Sequence, residues 1–73
     1  MYLVLYDIPD KKRLRKFSRA MKRFGRRVQK SVYECHIDNK CYQEMWEELK
    51  KISKKNDKVR SYYIHEGIKA DEI

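Results

Sequence analysis

Apolar positions along the chain switch between two periods, and the switches outline the fold. Residues 2–6, Tyr-Leu-Val-Leu-Tyr, are bulky on both parities, the pattern of a central strand covered on both faces. Pro9 cannot continue a ladder, and Asp10 is placed to cap a helix. From Lys11 to Phe24, Leu14, Phe17, Met21 and Phe24 recur at steps of three, four and three. That spacing predicts an amphipathic helix, ended by Gly25 as a residue tolerant of positive φ.

Arg27–Gln29 and Ser31–Ile37 then read as strands, the second with Tyr33, Cys35 and Ile37 on one parity and Glu34 and His36 on the other. Their connection near residues 29–31 carries no Asn-Gly or Asp-Gly signal. Asp38 or Asn39 caps a second helix with Tyr42, Met45, Trp46, Leu49 and Ile52 as its inward stripe, stopped by Asn56-Asp57. Val59–Ile64 is the last strand, and residues 66–73 form a tail hinged at Gly67.

The order β-α-β-β-α-β predicts an α+β, ferredoxin-like fold: a four-stranded antiparallel sheet with two helices on one face. Residues 1–65 make one domain, and the tail is a candidate swapped edge strand. A chain this short buries only about 60% of its unfolded surface. Its two cysteines form no CxxC pair and no zinc ligand set is visible, so oligomerisation is the expected remedy. The uncovered sheet face, with Tyr62 or Tyr63 on it, predicts a two-fold homodimer. No apolar leader and no run long enough to cross a bilayer is seen, which fits a cytoplasmic protein without a membrane partner.

Charge changes this picture from a small fold to a polyanion binder. The formal net charge is +8, and residues 11–30 hold eleven Lys or Arg without an acid, which leaves the rest of the chain net −3. Like charges so concentrated repel unless a counter-charge arrives. Lys11, Lys12, Arg13, Arg15 and Arg19 are therefore candidate contacts to nucleic-acid phosphates.

Asp7 ends the first strand just before that basic helix. A carboxylate there is a candidate ligand for Mg²⁺, which takes one or two protein carboxylates with water and phosphate oxygens; an Asx turn accounts for it equally well. A two-fold axis near this strand end would bring Asp7 from both chains to one Mg²⁺ or Mn²⁺, able to serve phosphodiester hydrolysis. Cys35 and Cys41 read as core residues, and His36 and His65 have no neighbours that assign them a role.

The opening Met1–Ile8, the basic helix ending at Gly25, the run Arg27–Glu34 and the closing Val59–Ile64 together resemble the CRISPR-associated protein two family. The resemblance implies a ferredoxin-like homodimer that works with the CRISPR integrase subunit, CRISPR-associated protein one, in acquiring spacers. It further implies a metal-dependent endonuclease on duplex DNA or single-stranded RNA, with Asp7 as catalytic residue and metal ligand. Tyr6, Arg27, Gln29, Ser31 and Tyr33 match the family's pattern around the dimer cleft and join the nucleic-acid candidates. Tyr33 stands where Phe is common, and core packing serves it as well as stacking on a base. Two other readings are a non-catalytic adaptor bridging integrase and duplex, and a toxin ribonuclease of related fold. An RNA-recognition module is disfavoured, because Arg27–Val32 does not fit its aromatic signature.

Overall fold

The computed structural model describes residues 1–65. The expected tail, its hinge at Gly67 and its strand swap lie outside the described residues. Six elements follow in the anticipated order: β1 (Tyr2–Asp7), α1 (Lys11–Met21), β2 (Arg26–Gln29), β3 (Val32–Cys35), α2 (Asn39–Ile52) and β4 (Lys58–Tyr63). The sheet runs β2-β3-β1-β4 with every neighbour antiparallel, the ferredoxin-like arrangement.

Both helices cover one face. Val4 and Tyr6 of β1, Tyr33 and Cys35 of β3, Phe17, Ala20 and Met21 of α1, and Met45 and Leu49 of α2 are buried together. Leu14, Phe24, Tyr42, Trp46 and Ile52 pack against them, so both helical stripes lie where their spacing puts them. Burying these apolar groups is the main stabilising term available to so small a domain.

Boundaries differ from the expected ones for local reasons. α1 closes at Met21, and Arg23 and Phe24 tighten the exit by donating to carbonyls three residues back, at 3.2 and 3.0 Å. Gly25 is needed for close approach, not for a positive φ: a Cβ there would sit 2.5 Å from Cys35 Sγ and 2.6 Å from the Glu34 carbonyl oxygen. Ser31 leaves the strand and turns the β2–β3 hairpin with φ 66°, while a bulge between Arg27 and Gln29 absorbs the register. β3 stops at Cys35, two residues short of Ile37.

α2 is capped by Asp38, whose carboxylate accepts from Cys41 N at 2.8 Å. It ends at Ile52 and not at Asn56-Asp57. The Lys54 N–H goes to the Asp57 carboxylate at 2.8 Å, a local side-chain bond that competes with another helical turn.

Register fixes what the bare face carries. Leu3 pairs with Glu34 and Tyr62, Leu5 with Val32 and Arg60, and Asp7 with Lys58. Since Val4 and Tyr6 point to the helices, these residues point away from them. Among the described residues no helix is long and apolar enough to cross a membrane.

Candidate functional site

The basic segment folds into a cleft. α1, the turn after it and the β2–β3 hairpin enclose about 330 Å³. Five cations line it: Arg15, Arg19, Lys22, Arg27 and Lys30. Among the described residues none of the five forms an ion pair. Leu14 and the Tyr6 ring supply the apolar wall, and Ser18 and Ser31 its hydroxyls.

Tyr6 is almost fully buried, and its hydroxyl meets Ser18 Oγ at 2.9 Å. Burial pushes that hydroxyl above its usual pKa, and the Ser18 hydrogen bond, with Arg27 to a lesser degree, opposes the shift. The phenol therefore acts here as a neutral hydrogen-bonding group. β1 places it, since the alternation that buries Val4 buries Tyr6 as well.

Five of the expected nucleic-acid residues meet in this cleft: Tyr6, Arg15, Arg19, Arg27 and Ser31. Lys11, Lys12 and Gln29 are exposed but lie outside it. Arg13 is drawn elsewhere: Nε and Nη2 donate to the two Asp57 oxygens at 2.5 and 2.8 Å. This bidentate bond holds the Asp57 carboxyl below the usual carboxylate range and leaves Arg13 little freedom to meet a phosphate. Tyr33 is 1% exposed within the core, so it has no open ring face on which a base can stack, and packing is its role.

Lys22 and Lys30 were not singled out from sequence, yet both line the cleft. Their signal was available in the charge run, which spans the helix exit and the hairpin as well as the helix.

Asp7 occupies a second, smaller hollow, lined also by Leu5, Tyr6, Lys58 and Arg60. It is exposed on the bare sheet face, across the ladder from Lys58. Tyr6 borders both hollows. An exposed carboxylate with room for water is the kind of hard oxygen donor Mg²⁺ accepts. Among the described residues no three His, Cys, Asp or Glu gather into a metal-sized group, and Asp7 is the one carboxylate lining this hollow. Lys58 and Arg60 beside it were also missed from sequence, and they are the groups available to hold a phosphate next to that carboxylate.

The remaining candidates have structural settings. Cys35 is buried and Cys41 partly so, both as free thiols. Burial pushes the Cys35 thiol up to about 11, which rules it out as a ready nucleophile near neutral pH. His36 meets Glu34 at 2.7 Å on the surface, and His65 packs edge-on to Tyr63.

Comparison with known proteins shows the chain's relatives. A profile for CRISPR associated protein Cas2 matches residues 1–70. The chain is 38% identical over 73 residues to a CRISPR-associated endoribonuclease Cas2 of Moorella thermoacetica, covering 92% of this chain and 76% of the relative. It is 36% identical over 63 residues to one from Synechocystis, covering 85% of this chain and 68% of the relative. Among solved structures, the Cas2 of Streptococcus pyogenes superposes with a TM-score of 0.84 at 30% identity, over 90% of this chain and 87% of the other. With the profile spanning nearly all of its length and the fold shared, the chain belongs to the CRISPR-associated Cas2 family.

Proposed function

We propose that this protein is a homodimeric, nucleic-acid-binding subunit of CRISPR adaptation with a divalent-metal-dependent endonuclease activity. The observation that carries the reading is the cleft of five cations that form no ion pair among the described residues, set beside an exposed Asp7 in a chain of the Cas2 family. Relatives named endoribonuclease and endonuclease support the activity. Leu3, Leu5, Val32 and Tyr62 on the bare sheet support the dimer, with Tyr62 50% exposed. A two-fold axis through that face would gather Asp7 from each protomer.

Mg²⁺ or Mn²⁺ held there would stabilise charge on the phosphodiester and lower the pKa of water. The chain's own residues do the positioning. The cleft cations grip the strand, Lys58 and Arg60 neutralise a phosphate beside Asp7, and the Tyr6–Ser18 bond keeps the shared wall fixed. The partners this reading calls for are a second copy of the chain, the integrase subunit, and duplex DNA or single-stranded RNA.

The test is cleavage by Asp7→Ala, purified alongside the parent protein in Mg²⁺ and in EDTA. Loss of metal-dependent cleavage with binding retained is expected; cleavage at the parent rate would refute the role of Asp7. A non-catalytic adaptor is the second reading, favoured by Asp7 being the one carboxylate that lines its hollow. It predicts that neither protein cleaves while both bind duplex and integrase.

A further inference from the structure

The cleft between α1 and the β2–β3 hairpin concentrates positive charge. Arg15, Arg19, Lys22, Arg27 and Lys30 line a space of about 330 Å³ without an acid among the lining residues. An internal strand brings its charges singly, one per nucleotide. A compact ligand with several charges on one group matches so concentrated a set of cations more closely.

The walls are shaped for such a group. Guanidinium forks from Arg15, Arg19 and Arg27 suit phosphoryl oxygens in pairs. The Ser18 and Ser31 hydroxyls add polar groups, while half-buried Leu14 gives an apolar edge against which a sugar or base can lie. Ser31 holds φ 66° at the rim, with its carbonyl accepting from Tyr6 N at 3.1 Å.

Resting on the reading that this face binds nucleic acid, we propose that the cleft is a receptor for a nucleotide polyphosphate, as carried by a free nucleoside triphosphate or by the 5′-triphosphate end of an RNA. A terminal triphosphate concentrates its charge within the cleft that the five cations line, whereas an internal diester brings one charge per nucleotide. The cleft thereby distinguishes an end from an interior, and a strand seated in it is held in a defined register with respect to Asp7.

The experiment compares a short RNA carrying a 5′-triphosphate with the same RNA carrying a 5′-hydroxyl, by fluorescence anisotropy on the intact protein at fixed salt. The triphosphate end should bind tighter by about tenfold or more, a difference of about 1.4 kcal/mol. Arg19→Gln combined with Lys30→Gln should erase that preference, circular dichroism confirming that the variant is folded. ATP added as competitor separates the sources: displacement supports a receptor for free nucleotides and RNA ends alike, and no displacement supports one for RNA ends. Equal binding of the two RNAs would overturn the proposal and leave the nucleic-acid reading standing. Binding of neither RNA nor duplex DNA would overturn both.

Discussion

The two helices lie over the same sheet and bury similar apolar stripes, yet their outer faces differ completely. α1 carries six cations and no acid in eleven residues, whereas α2 balances Lys40, Lys50 and Lys51 against Glu44, Glu47 and Glu48. On α2, Glu47 pairs with Lys50, and Glu48 takes Arg23 from the turn after α1. On α1, Arg13 alone among the described residues reaches acids, at Asp57 and Asp10. A helix bearing neighbouring like charges three and four residues apart is weakened by them. Its persistence shows that packing holds α1 in place, and its outer face is free to serve a polyanion.

The deepest break in this comparison comes from the anchor. Phe17 is fully buried on α1 against the Tyr6 ring, 4.7 Å between centroids. Phe17→Ala should cost about 3–5 kcal/mol in urea denaturation, by lost burial and the cavity left behind. A loss below about 1 kcal/mol would mean that α1 is not held by this stripe.

Next comes the tether. Asp57→Asn should lower Tm by several degrees, because it breaks the bidentate bond from Arg13 and weakens the acceptor of Lys54 N. The effect has a pH signature. The Asp57 carboxyl is held below its ordinary value, chiefly by the hydrogen bond from Arg13. Its contribution is therefore complete above the unfolded carboxylate pKa of about 3.9 and is lost as pH falls through the lower folded value. The parent protein should lose Tm more steeply than the variant below about pH 4; parallel melting curves would remove Asp57 from that role.

The mildest change sharpens the contrast. Lys16→Glu would face Lys12 and Arg19, four residues before and three after it, and convert α1 locally to the pattern of α2. A gain of a few tenths of a kcal/mol in stability is expected, measured in the same urea series. A decrease would show that repulsion does not act along this face.

What could be read from sequence follows the same division. Helical stripes repeat within one element, so Leu14, Phe17 and Met21, like Met45 and Leu49, were identifiable from spacing alone. The bare sheet face followed from strand alternation in the same way. Hidden features were those set by residues far apart in the chain. Arg13 looks like its neighbours until Asp57, 44 positions later, claims its guanidinium. Tyr33 was ambiguous because a strand parity does not announce which face the helices will cover, and the pairing Val4 with Tyr33 settles it. The hairpin turn gave no glycine signal because Ser31 takes the left-handed position itself. Gly25 was expected for the wrong reason, since its constraint is the approach of β3 and not its own backbone.

The claim beneath this comparison is that the unbalanced cations of α1 exist to meet phosphates. Its most direct test is the salt dependence of duplex binding, plotted as log affinity against log salt, for the parent protein and for Arg15→Gln combined with Arg19→Gln. Two lost phosphate contacts should reduce the magnitude of the slope by about 1.8. An unchanged slope in the folded variant would contradict the account.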